Sequence, residues 1–109
     1  MTQHFGPAVG EYRKVLLAEP NNISGLNNLA YLLAVCPDNN IRDGGEAIKL
    51  SERACKLTGF KEAPLINTLA AALAEQGRFS EAATVSEMAS RLQVAAAEPN
   101  PAPEKPVRD

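Results

Sequence analysis

The sequence has few of the residues that build reactive or covalently stabilised sites. Its 109 residues include two cysteines, one histidine and no tryptophan. Cys36 and Cys55 lack the close spacing of zinc-binding cysteine pairs, and two cysteines do not make a disulfide framework. His4 lies near the first residue, where it is poorly placed to activate a serine or cysteine nucleophile. We therefore expect no enzyme activity, no metal site and no cofactor.

An excess of charge of one sign and long hydrophobic runs are also missing. Eleven basic and 13 acidic side chains give a net charge of -2 at pH 7, which offers no basic face to a nucleic acid or an anionic membrane. The longest apolar runs, residues 29–36 and 69–74, are far shorter than the roughly 20 residues of a membrane span. The first ten residues do not resemble a signal peptide. We expect no nucleic-acid partner and no membrane insertion; the localisation stays open, with the cytoplasm favoured.

The residues that are abundant favour helices. Apolar types make up 45% of the chain and charged types 22%, which is the balance of a globular domain. Alanine and leucine are the commonest residues, and aromatic residues are few, so a helical core is favoured over a β core. Breaks rich in proline, glycine and asparagine separate five predicted helices. These helices run to about residue 18, then over 23–35, 44–57, 64–76 and 80–97.

Residues that cap helices stand at several of these boundaries. Asn22 and Asp43 are placed as N-caps of the second and third helices, and Glu46 follows Asp43 at the spacing of a capping box. Gly77 is typical of the left-handed residue that ends a helix. Ser80 is predicted to cap the fifth helix.

The last 12 residues, 98–109, form a separate segment. They contain four prolines, which cannot continue a helix and favour an extended chain. We therefore expect a helical domain over residues 1–97 and a disordered, proline-rich tail over residues 98–109.

The second and fourth helices repeat one pattern. Each carries apolar residues and an alanine at positions i, i+3, i+4 and i+7, which lie on one face of a helix. The two sets are separated by 40 residues. The first set is Leu26, Leu29, Ala30 and Leu33, and the second is Ile66, Leu69, Ala70 and Leu73.

The third and fifth helices repeat a different pattern, with an offset of 35 residues. Six residues of the third helix recur unchanged in the fifth: Glu46, Ala47, Ser51, Glu52, Ala54 and Leu57. The two offsets differ by five residues, which predicts a longer loop between the second and third helices. The first helix fits the scheme through Ala8, Tyr12 and Val15, as a second member of a pair whose first member is missing.

This arrangement resembles the tetratricopeptide repeat, a helix-turn-helix unit of about 34 residues. Leu26 and Ile66 stand at its tryptophan position, and Ala47 and Ala82 at the small position of its second helix. Tyr12 keeps the later aromatic position, at which the third and fifth helices have serine. The resemblance covers about residues 3–94.

The resemblance implies an all-α fold, in which antiparallel helix-turn-helix repeats stack as a short right-handed α-solenoid. The implied units are a half repeat over 3–22, a repeat over 23–61 and a repeat over 63–97. Within the family, the chain looks like repeat segments of larger bacterial proteins.

The family resemblance also implies a protein–protein interaction module with a concave groove that binds a peptide or a helix. Basic residues that clamp a carboxylate in some members are missing from both first helices. Asparagine amides could pair with a peptide backbone and a tyrosine could anchor it, although a solvated ridge and ordinary packing remain open for these residues. The implied groove residues are Asn27, Asn28, Tyr31, Asn67, Thr68 and Ala71.

Two alternatives to this peptide-binding or helix-binding module stay open. The chain could be a structural C-terminal repeat segment of a larger enzyme or membrane-anchored protein. It could also be a self-associating scaffold, a homodimer formed through the unpaired N-terminal flank, because the first helix lacks the neighbour that the repeat scheme gives it.

Overall fold

A computed structural model describes residues 5–97, which form five helices. These are α1 (Phe5–Ala18), α2 (Ile23–Val35), α3 (Gly44–Leu57), α4 (Ala63–Glu75) and α5 (Phe79–Ala97). The described part of the chain contains no β-strand, so the prediction of an all-α fold is confirmed. The proline-rich segment 98–109 lies outside the described residues.

The helices pack mainly against their neighbours in sequence. Helix α1 packs against α2, α3 packs between α2 and α4, and α5 packs against α4. Helices α2 and α4 also contact each other directly. These two helices therefore lie at the centre, while α1 and α5 form the two ends of the helix array.

The repeated apolar residues form the core. On α2 and α4 all of them except the partly buried Ala70 are almost fully buried, with Leu29 1% exposed and Ile66 0% exposed. The matching residues of α3, Ala47, Ser51 and Ala54, are 0% exposed, because small side chains allow close approach of the neighbouring helices. The Ser51 hydroxyl donates a hydrogen bond to the Ala47 carbonyl at 2.7 Å, so its burial leaves no unpaired polar group.

Two of the predicted N-caps are confirmed. The Asn22 Oδ1 atom accepts a hydrogen bond from the Gly25 backbone N–H at 2.8 Å, and Asp43 Oδ1 accepts from the Glu46 N–H at 3.0 Å. The second half of the capping box is wrong. The Asp43 N–H donates to the Leu33 carbonyl at 2.7 Å, and the Glu46 carboxylate binds Arg13 of α1 instead, at 2.7 and 3.0 Å.

The turn between α4 and α5 corrects a second prediction. Gly77 has a φ of 76° and ends α4 as predicted, but α5 begins at Phe79, so Ser80 lies inside the helix. The Arg78 N–H donates to the Leu73 carbonyl at 2.9 Å, and the Arg78 carbonyl accepts from the Ala82 N–H at 2.9 Å. This tight turn starts the helix at Phe79, two residues earlier than an N-cap at Ser80 would.

The hydrogen bond that Asn22 makes as the N-cap of α2 should contribute measurably to the free energy of unfolding. We expect Asn22→Ala to lower the free energy of unfolding by about 1 kcal/mol, because the Gly25 N–H loses its partner at the start of α2. Urea denaturation followed by circular dichroism at 222 nm measures this change. Asn40→Ala is the matched control, since Asn40 lies in the exposed loop before α3; an equal loss in both variants would contradict the assigned role of the cap.

Candidate functional site

A cleft of about 530 Å³ opens where α1, α2 and α4 meet. Its residues come from three helices, and none of them carries a charge. We call it the α1–α2–α4 cleft, and its lining residues are Phe5, Ala8, Tyr12, Asn27, Asn28, Tyr31, Leu32, Pro64 and Thr68.

Helix α2 supplies most of the polar and aromatic groups in the cleft. Leu26, Leu29 and Leu33 occupy the buried face of this helix, so the intervening residues Asn28 and Tyr31 are turned away from the core. Asn28 is exposed and Tyr31 is 53% exposed. The heptad-like spacing of the leucines thus determines which side chains of α2 reach the cleft.

Asn27 is the polar residue of the cleft with an unsatisfied atom. The residue is half-buried, and its Oδ1 atom is buried without a hydrogen-bond partner in residues 5–97. Leaving a buried acceptor unpaired costs about 1–3 kcal/mol. The enclosed Oδ1 atom is not open to a ligand, so the exposed amide of Asn28 is the asparagine group that the cleft offers.

The predicted residues of α4 are placed less uniformly. Thr68 lines the cleft but is only 5% exposed, and its hydroxyl donates to the Pro64 carbonyl at 3.1 Å. Asn67 is exposed and lies outside the cleft lining, while Ala71 packs against the core. The structure therefore brings Thr68 to the same cleft as the predicted residues of α2, but not Asn67 or Ala71.

Helix α1 contributes residues that the groove prediction omitted. Phe5, Ala8 and Tyr12 line the cleft and follow one another at i, i+3 and i+7, the spacing of one helix face. The prediction considered only the first helices of the repeats, so it left out α1. The apolar spacing on α1 was the signal that could have identified them.

The ion pairs lie outside the cleft. Arg13 and Glu46 join α1 to α3 at 2.7 Å, and Arg42 binds Glu75 at 2.8 Å. The hydrogen bond to Glu46 raises the pKa of the Arg13 guanidinium. These pairs connect parts of the chain that are distant in sequence, and the cleft itself remains neutral.

The described residues show no arrangement for metal chemistry or membrane insertion. Over residues 5–97, no three side chains of histidine, cysteine, aspartate or glutamate come together as a metal site. His4 falls outside this range. In the same part of the chain, none of the helices combines the length and apolar character needed to cross a bilayer.

Comparisons with known proteins do not identify a family. No protein-family model matches the chain, and no curated protein matches it. The resemblance to the tetratricopeptide repeat therefore depends on the residues and spacings of this chain.

Proposed function

We propose that this protein is a non-catalytic protein–protein interaction module whose α1–α2–α4 cleft binds a peptide or a helix of another protein. The observation that carries the proposal is the composition of the cleft. It combines the exposed ring of Tyr31 with the amides of Asn27 and Asn28 in a lining that carries no charge. The internal repeat and its resemblance to a peptide-binding family support the same function.

Each group in the cleft has a defined use in peptide recognition. Tyrosine offers a large flat contact and is enriched among the residues that dominate binding energy. An asparagine side chain can donate to a peptide carbonyl and accept from a peptide N–H. Because the lining has no charge, burying a charged side chain here would cost its hydration without a counter-ion. The cleft should therefore select uncharged segments.

A structural role in a larger protein is the second candidate, and it is favoured by a different observation. Large apolar side chains are exposed away from the cleft, with Leu17 85% exposed, Phe79 69% and Val94 60%. Contact with further parts of a larger assembly would bury these side chains. Under this alternative, the cleft would have no ligand of its own.

Peptide selection followed by substitution tests the proposed function. Peptides selected from a displayed random library on the immobilised protein should bind at least tenfold more weakly to Tyr31→Ala and to Asn28→Ala, measured by fluorescence anisotropy. The double variant Asn28→Ala/Asn67→Ala should be no weaker than Asn28→Ala alone, because Asn67 lies outside the cleft. Asn40→Ala is the control for an exposed asparagine. Unchanged affinity in the Tyr31 and Asn28 variants would reject the cleft as the binding site.

A further inference from the structure

The internal repeat allows one helix to be compared with its equivalent in a different setting. Helix α3 packs between two helices, whereas α1 packs against α2. At one pair of equivalent positions, Ser51 of α3 is 0% exposed, while Tyr12 of α1 is half-buried. Helix α1 therefore leaves uncovered the kind of surface that a second neighbour covers on α3.

The same comparison applies to α2 and α4, which are related by an offset of 40 residues. Thr68 is 5% exposed, and Ala72 is 0% exposed. Their equivalents on α2, Asn28 and Leu32, are exposed and half-buried. Helix α4 has α2 beside it, and in residues 5–97 no helix takes the corresponding place beside α2.

These two uncovered surfaces are adjacent, and both belong to the α1–α2–α4 cleft. The molecule itself shows what covers the equivalent surfaces one repeat later, because α2 packs against both α3 and α4. A helix in the corresponding place would pack against both α1 and α2. We call this surface the α1/α2 flank; it consists of Phe5, Ala8, Tyr12, Asn28 and Leu32.

We propose that the α1/α2 flank receives a single α-helix from a partner protein, and that this helix has the chemistry of α2 and α4. Such a helix is free of basic residues and carries leucine or isoleucine at i, i+3 and i+7 with alanine at i+4. This inference rests on the proposed function and names the class of ligand for the same cleft.

The groups on the flank suit a helix better than an extended chain. A helix satisfies its own backbone hydrogen bonds, so it needs few polar partners, and the flank offers mainly apolar surface with the amide of Asn28. Ala8 occupies the position of Ala47, where a small side chain lets α2 approach α3. Anchors at i, i+3 and i+7 are the usual way in which a helix fills an apolar groove.

The chain supplies a ready test ligand in the correct register. Phe5 and Ala8 of α1 match Phe79 and Ala82 of α5, each 74 residues apart. Helix α4 connects to Phe79 through a tight turn at residues 76–78. A copy of residues 61–78 placed directly before Phe5, in place of residues 1–4, therefore gives α1 the connection that α5 has.

The experiment compares this extended chain with a matched control. The control carries the same added segment with I66S, L69S and L73S in the added copy only, so that length and loop are equal while the apolar face at i, i+3 and i+7 is removed. We expect the added α4 copy to raise Tm by at least about 8 °C relative to the control, because burial of an additional apolar helix face stabilises a domain of this size. No difference between the two chains would overturn the inference.

A second measurement tests the same flank in trans on the 109-residue protein. A fluorescein-labelled peptide of residues 61–78 should bind and should lose at least tenfold in affinity with Asn28→Arg, which introduces an exposed charge into the flank. Asn67→Arg, outside the cleft, is the control and should leave the affinity unchanged. Equal binding to all three proteins would overturn the inference.

Light scattering coupled to size exclusion distinguishes a partner helix from the other possible occupant of the flank, a second copy of this protein. A monomer at 10 and 100 µM supports a partner helix. A dimer that Asn28→Arg dissociates would overturn the inference in favour of a second copy.

The helix inference and the proposed function can fail separately. If selected peptides lose affinity with Tyr31→Ala while the added α4 copy has no effect, only the helix inference is wrong. If those peptides are insensitive to Tyr31→Ala but the added copy stabilises α1, the peptide-binding proposal for the cleft falls.

Discussion

Replacing Ile66 with alanine is expected to lower the free energy of unfolding by about 2–5 kcal/mol, from lost burial and from the cavity left behind. Ile66 is 0% exposed and lies on α4, the helix that contacts α2, α3 and α5. A cavity at this position removes contacts from the centre of the helix array. Because small domains have a total stability of about 5–15 kcal/mol, this loss is a large share of the total, and the urea midpoint should fall clearly.

Urea denaturation at 25 °C measures this loss, and two further variants calibrate it. Ile66→Val removes one methylene group and should cost about 0.5–1.5 kcal/mol. Leu17→Ala removes a similar volume at a side chain that is 85% exposed, so it should change stability by less than about 0.5 kcal/mol. Similar losses for Ile66→Ala and Leu17→Ala would contradict the placement of the core between α2 and α4.

The helices themselves could be predicted because their signals are local. Helix α2 spans Ile23–Val35 as expected, since Asn22 caps its start and Cys36-Pro37 prevents its continuation. The apolar face of this helix is uninterrupted, and Gly25 is the only helix breaker in it. In such a segment the apolar periodicity agrees with the residues that begin and end the helix. Contacts with the rest of the fold therefore do not change the local preference.

The prediction of the capping box was wrong because a residue distant in sequence competes with a local one. Glu46 has the spacing to reach back to the Asp43 N–H, but Arg13 lies within 2.7 Å in the structure although it is 33 residues away in sequence. The two hydrogen bonds of this ion pair replace a single bond to a backbone N–H, and that N–H donates to the Leu33 carbonyl instead. A pattern read along the sequence does not contain this competitor.

The lining of the α1–α2–α4 cleft includes only some of the predicted groove residues, for a related reason. The repeat pattern treats α2 and α4 as equivalent, so it assigns Tyr31 and Ala71 the same role. Their neighbours differ, because α2 borders the uncovered end of the array while α4 lies between α2 and α5. Tyr31 is consequently 53% exposed in the cleft, whereas Ala71 packs against the core.

The contact between α1 and α2 shows that the repeat conserves volume more closely than identity. Gly25 lies so close to α1 that an added Cβ atom would be 3.2 Å from both Leu16 Cδ2 and Val15 Cγ1. At the equivalent positions one repeat later, Leu65 is the large residue, and Ala54 and Cys55 are the small ones, all of them buried. Large and small residues have exchanged helices, which keeps the interior filled.

Alkaline pH should destabilise the protein through Cys55. This side chain is 0% exposed, and burial, followed by the charge of Glu52, raises the pKa of its thiol from 9.0 to about 11. The folded state thus keeps the thiol neutral at a pH at which the unfolded chain has already lost the proton. The contribution to stability is fully present below about pH 9 and is lost as pH rises toward 11, by about 3 kcal/mol in total.

Comparison with Cys55→Ala isolates this contribution from the lysines and tyrosines that titrate over the same range. The variant has a lower free energy of unfolding at pH 7, because a small cavity replaces the sulfur atom. The difference between the two proteins should move by about 3 kcal/mol in favour of Cys55→Ala between pH 8 and pH 12, since only the parent loses the stability that the neutral thiol provides. Urea denaturation at half-unit pH steps measures both curves. Curves that stay parallel over this range would mean that Cys55 is open to solvent in the folded protein, and the close contact of α3 with its neighbours would then need revision.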